Sequence, residues 1–252
     1  MQCTRMLRLG KMIPLATVQH ITGYNFSSIN SIMKPRVRQF CKNVSIKNAL
    51  KNVGQPRTQN TGMLQRVSHR FTLFKMKYQL IGLGYQLYDN IPDKLDYSIF
   101  FKDFAMNDTF FSWFKVTELH VWMLMVRFMA EGDKGKVVVQ NIVESMWHDV
   151  IIRAEKLGPI PSKIRNKQIM ELSHQFNAAI IDYDEGILSD DKTLASALWR
   201  TFFNLECNNP EQLEKLLIYV RKQISILDKI PSDKLYRTPV IKWLDLRTIE
   251  TH

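Results

Sequence analysis

Asp182, Asp184, Glu185, Asp190 and Asp191 place five carboxylates within ten residues. Tyr183 and Arg200 bracket the stretch that carries most of them, YDEGILSDDKTLASALWR. Carboxylates at this density can transfer protons, ligate metal or recognise a basic partner. Metal chemistry needs more than density. Glu171-Leu-Ser-His174 matches the Glu-x-x-His half-site of di-iron helical bundles, which require a second such pair and two further glutamates. His120 and His148 follow Glu118 and Glu144 at separations of two and four, not three, so the second half-site is missing. A single match is expected by chance in a helix-rich chain, and a surface or capping role for Glu171 and His174 is the simpler reading. Cys207 falls where a helix should end, and the negative end of the helix dipole there disfavours a thiolate. The chain has no Gly-x-Ser-x-Gly elbow, Gly-rich phosphate loop or dinucleotide fingerprint. No catalytic residue, metal or cofactor is expected.

The acidic cluster itself has two readings, and both stay open. As architecture, Ser189 caps a new helix, and Asp190 and Asp191 in its first turn complement the dipole by about 0.3–1 kcal/mol each. Asp184 and Glu185 resist that account. They fall near the C-terminus of the preceding helix, which should end near Gly186, and carboxylates there oppose the dipole. Local conflicts of this kind mark a specific partner. Arg200, Arg127 and Arg153 are candidate internal partners. Trp122, Trp147 and Trp199 lie among aliphatic residues and read as core aromatics with bonded indoles. His120 reads as a satisfied buried histidine.

Periodicity supplies the elements that hold these groups. Leu64–Tyr88 reads as a helix, weakened by Gly82 and Gly84 and ended by Pro92. Phe110–Met129 is apolar at 14 of 20 positions with its polar residues scattered round the wheel, the pattern of a central helix covered on most sides. Glu131–Lys136 reads as a turn. Val137–Leu157 carries one apolar stripe and is stopped by Gly158-Pro159, after which Ser162 can cap the next long helix. Asn209-Pro210-Glu211 is an N-cap, a proline at the first helical position and a first-turn acid in succession. The segment 231–252, with Pro239 and Trp243, reads as irregular. The fold class is therefore all-α: one bundle-like domain of about six helices over residues 64–230.

The chain has 252 residues and a formal charge of +11, but the excess is local. Of its 35 Lys and Arg, 12 fall in residues 1–70, which contain no Asp or Glu, so the remaining 23 face all 24 acids. The front of the chain has the composition of a mitochondrial transit peptide, assigned to residues 1–42, and a linker is expected over 43–63. Cys3 and Cys41 lie in that leader. Cys207 alone cannot form an internal disulfide, which suits a reducing matrix. No stretch approaches the roughly 18 apolar residues of a spanning helix. Lys163, Arg165 and Lys167, or Arg221 and Lys222, could form a basic face for RNA, but the near-neutral body argues against RNA as chief partner.

Three stretches then become familiar together: LHVWMLMVRFMAEG (Leu119–Gly132), MWHDV (Met146–Val150) and YDEGILSDDKTLASALWRTFF (Tyr183–Phe203), continued by YVRKQISILD (Tyr219–Asp228). In that order they resemble the ubiquinol–cytochrome c chaperone family over about residues 65–230. The resemblance implies a non-enzymatic, cofactor-free role in biogenesis of respiratory complex III. It implies that newly made cytochrome b is bound with a small partner assembly factor, as a heterodimer, at the matrix face of the inner membrane. Contact with the mitochondrial ribosome and peripheral contact with the membrane are also implied, and none with DNA. A client so apolar would need an exposed groove. Aromatics of Phe110–Phe128 and Tyr78–Tyr88 are expected to line it, with Trp122 and His120 among the contacts. Tyr183, Asp184, Glu185, Asp190, Asp191 and Arg200 are expected to meet basic loops of client or partner. The competing readings are a ribosome- or RNA-binding factor and a di-iron or quinone-modifying enzyme.

Overall fold

The computed structural model describes residues 63–249, with side chains from Met76 onward. The transit-peptide and disordered-leader expectations, and the linker up to residue 62, lie outside the described residues. Among the described residues there are eight α-helices, one 3-10 turn and no strand. They are α1 (Met63–Lys94), α2 (Tyr97–Asp103), α3 (Phe110–Met129), α4 (Gly132–Lys156), α5 (Ser162–Leu188), α6 (Asp191–Thr201), α7 (Pro210–Asp228) and α8 (Ser232–Arg237), with the 3-10 turn at Leu246–Thr248. The all-α expectation is met. Six long helices are where periodicity places them. The two extra ones, α2 and α8, have seven and six residues, too few to show a 3.6-residue repeat.

The position of α3 follows from its composition. Sixteen of its 20 residues are buried, because α1, α2, α4 and α7 all pack against it. Thr109 starts the helix by accepting the Ser112 amide at 3.2 Å. α1 lays Leu80, Leu83, Leu87 and Ile91 against α4 and α3, a helical stripe that Pro92 does not terminate. The helix runs on to Lys94, and the Leu95 amide still reaches the Ile91 carbonyl at 3.1 Å. Pro92 sits in the last turn, where its missing donor removes one bond from an end already short of partners.

Three further boundaries differ from expectation. α4 starts at Gly132, not Val137, because Gly132 takes φ +64° and turns the chain into the helix at once. Pro161 occupies the N-cap position of α5, so Ser162 is its first helical residue and not its cap. α5 also passes Gly186 and reaches Leu188.

The segment after α7 is tied down despite its irregular backbone. Leu235, Ile241, Leu246 and Ile249 are buried. Asn90 on α1 donates to the Pro239 carbonyl at 2.8 Å, accepts from the Ile241 amide at 3.2 Å, and offers its own carbonyl to the Trp243 indole at 3.0 Å. Gln223 accepts from the Leu244 amide at 2.9 Å. A chain without a helical ladder must find partners for its backbone groups elsewhere, and two buried amides provide them.

Candidate functional site

The acidic stretch forms the junction between α5 and α6, an antiparallel pair in close contact. Gly186 permits that approach. A Cβ there would sit 2.8 Å from Leu194 Cα and 2.9 Å from its Cδ1, well inside the roughly 3.5–4.0 Å of carbon–carbon contact. Asp190, not Ser189, caps α6: its Oδ1 accepts from the Thr193 amide at 2.9 Å and from the Thr193 hydroxyl at 2.7 Å. The hydrogen bonds from the Thr193 hydroxyl and amide hold the Asp190 carboxyl below its ordinary range. Ser189 is the residue that closes α5.

Arg221, on α7, braces the turn from outside. Its guanidinium donates to Asp191 Oδ1, the Ile187 carbonyl and the Ser189 carbonyl, each at 3.1 Å. Two of these acceptors are carbonyls around the end of α5, the groups a helix cannot satisfy internally. Arg200 reaches Asp182 at 3.1 Å and Ser196 Oγ at 2.6 Å. Arg127 and Arg153, also expected here, are engaged elsewhere. Arg127 pairs with Glu131 at 2.6 Å and with the Leu227 and Ile230 carbonyls. Arg153 pairs with Asp149 and lies 4.3 Å over the Trp113 ring.

Asp184 faces inward. It accepts the Trp122 indole N–H at 2.8 Å. Burial raises its carboxyl pKa, and the indole bond works in the opposite direction. This bond accounts for a carboxylate near a helix C-terminus that the dipole argument could not place. Tyr183 lies fully buried with its ring 4.9 Å from Trp122. Glu185 is exposed.

His120 is also fully buried. Its Nδ1–H donates to the Val116 carbonyl at 2.7 Å, which leaves Nε2 to accept from the Tyr219 hydroxyl at 2.6 Å. Desolvation lowers its pKa to about 4, so the ring is neutral. One turn away, Lys115 and Glu118 form a buried ion pair at 3.2 Å. Desolvation pushes Glu118 up to about 7, against the pull of Lys115. Trp122 and His120 were expected to be core residues or, with Tyr183, contacts of a client or partner. With no exposed surface, Trp122, His120 and Tyr183 present nothing to a partner and belong to the core. The surface part of the cluster is Glu185, Asp190, Asp191 and Arg200.

The expected aromatic groove is not formed by α3. Among its large hydrophobic residues only Phe111 is exposed, because neighbouring helices already cover the rest. Tyr78 and Tyr85 on α1 are exposed. Glu171 and His174 stand on the exposed side of α5. Among the described residues no three His, Cys, Asp or Glu side chains gather to hold a metal. Cys207 lies in the α6–α7 loop, not at a helix end, and its thiol points to the Asn209 carbonyl at 3.3 Å. Arg221 is the residue sequence reasoning misassigned. It sits 30 positions from Asp191, and no local spacing connects them.

Residues 102–243 match the family described as ubiquinol-cytochrome C chaperone. This chain belongs to that family. The family is one of chaperones, not enzymes. Over 192 residues the chain is 48% identical to a Drosophila melanogaster protein named ubiquinol-cytochrome c reductase complex assembly factor 1, covering 73% of each. The human protein of the same name is 45% identical over 172 residues, 68% of this chain and 56% of that one. The yeast protein CBP3, mitochondrial, is 31% identical over 62% of this chain and 48% of its own length. The chain thus spans about half the length of those last two relatives. The crystal structure of the Cbp3 homolog from Brucella abortus superposes with a TM-score of 0.58 at 20% identity, covering 75% of this chain and all of that one. The two share a fold.

Proposed function

We propose that this protein is a mitochondrial assembly chaperone for respiratory complex III. In this reading it holds newly made cytochrome b, together with a small partner assembly factor, on the matrix side of the inner membrane, and so supports cytochrome b translation and stability. The observation that carries the reading is the 48% identity to a named complex III assembly factor across 192 residues. The body's chemistry agrees with it. Glu118 and His120, whose protonation burial displaces, are sealed in the core, where no substrate meets them. Work done by such a molecule is done by its outside.

Two exposed features suit a cytochrome b client. The rim formed by Glu185, Asp190 and Asp191 can steer basic loops of client or partner, giving orientation and rate more than affinity. The exposed face of α1, with Tyr78, Gly82 and Tyr85, lies in an uncharged stretch from Tyr78 to Tyr88 and suits an apolar helix. Affinity purification from mitochondria should recover cytochrome b and a second small factor, and Glu185→Lys should reduce that recovery without loss of fold. Recovery of ribosomal RNA alone, or of neither protein, would reject the proposal.

A further inference from the structure

α5 is 27 residues long, about 40 Å at 1.5 Å per residue, and its two ends differ in packing and in charge. Its first buried residue is Ile169. Before it, Ser162–Gln168 are exposed except for Arg165, whose side chain is mostly covered and donates to the Ile160 carbonyl at 3.2 Å, so about 10 Å of helix extends beyond its first buried residue. The chain from Lys156 to Met170 contains Lys156, Lys163, Arg165 and Lys167 and no acid. Glu155, in weak contact with Arg165 at 3.8 Å, and Glu171 flank it. Leu157 and Ile164 are 56% and 50% exposed within the same segment. Lys163, Ile164, Lys167 and Gln168 line one shallow depression. The opposite end of α5 carries Asp182, Asp184 and Glu185.

An exposed helix end gains little from its own core, and exposed apolar residues among cations are not what an isolated body needs for solubility. Phosphate-bearing RNA would use the cations but leave Leu157 and Ile164 in water. An anionic bilayer uses both. Apolar side chains sink about 5–10 Å into the headgroup boundary while Lys and Arg meet phosphates at its surface. The positive end of the α5 dipole points the same way. We infer that the α4–α5 corner, from Lys156 to Gln168, docks directly on an anionic lipid surface and holds the acidic α5–α6 turn away from it. The inference rests on the membrane-side placement proposed above, and it makes the lipid contact direct, not mediated by a client.

The test uses the full chain with Cys3, Cys41 and Cys207 replaced by Ser and a nitroxide placed at Gln168→Cys or, as control, at Glu185→Cys. Phosphatidylcholine vesicles containing cardiolipin should raise oxygen accessibility and lower nickel-chelate accessibility at 168 and leave 185 unchanged. Plain phosphatidylcholine should do neither. Lys163→Glu with Lys167→Glu, both on the surface, should weaken the response at 168 about tenfold or more while circular dichroism stays unchanged. If the chain floats with the vesicles but 168 stays aqueous, the basic leader alone binds and the inference fails. A response at 168 to RNA and not to vesicles overturns it equally. Recovery of cytochrome b from mitochondria is a separate readout. Its absence with the lipid response intact would reject the proposed function and leave this docking surface standing.

Discussion

Gly186→Ala tests the α5–α6 junction directly. The added Cβ would lie 2.8 Å from Leu194 Cα and 2.9 Å from Leu194 Cδ1. The first of these is backbone, so a rotamer change cannot relieve it, and the two helices must separate. Overpacking of this kind costs about 1–3 kcal/mol, while Ala gains about 1 kcal/mol over Gly in a helix interior. Because the clash is with backbone, the upper part of the first range applies, and a net loss of about 1–2 kcal/mol is expected. Gly82→Ala is the matched control. It is mid-helix, a Cβ there meets nothing within 4 Å, and the propensity gain should appear alone, at about 1 kcal/mol. With about 2–4 °C per kcal/mol for a domain of this size, thermal unfolding of the two variants should shift in opposite directions. Calorimetry and urea unfolding followed by circular dichroism would measure both. Gly186→Ala as stable as the parent would mean that α5 and α6 do not approach as closely as described, and the account of the junction would fall.

Three other outcomes follow from the core and the caps. Asp190→Ala should lose about 0.5–2 kcal/mol of stability and Ser189→Ala close to nothing, since only Asp190 holds the α6 amide; equal losses in urea unfolding would refute the assignment. Trp122→Phe should cost about 1.5–3 kcal/mol by stranding the Asp184 carboxylate, whereas Asp184→Asn keeps an acceptor for the indole and should cost less; the reverse order would count against that bond. Glu118 binds its proton more tightly folded than unfolded, with its pKa raised from 4.5 to about 7. Its contribution is therefore full below pH 4.5 and is lost as pH rises through about 7. Because His120, with its pKa lowered to about 4, gains stability as pH rises over nearly the same window, the test is the difference between the two chains. Glu118→Gln should make stability rise with pH more steeply than in the parent, and identical pH slopes in unfolding would remove the argument.

Legibility divides by the range of the interaction. The six long helices were readable because their signals repeat every three or four residues. The Asn209 cap was readable for the same reason: its side chain accepts from the Glu211 amide two positions on, at 3.0 Å. Even the central place of α3 was in its composition, since 14 apolar residues scattered round a wheel leave no face for water. Boundaries were less secure where a single residue decides them, as with Gly132 and the Ser189–Asp190 choice.

What the sequence by itself determined, then, was an all-α body with α3 inside it, because periodicity and composition act within a few turns of chain. Only the tertiary structure decided how the acidic stretch is used. Trp122 and Asp184 are 62 positions apart, Arg221 and Asp191 are 30 apart, and Asn90 and Ile241 are 151 apart. Such pairs exist because of how helices cross, and helix crossing is set by packing of the whole core rather than by any neighbour in the chain. That packing turned Trp122, His120 and Tyr183 inward and left Glu185, Asp190, Asp191 and the basic start of α5 facing out.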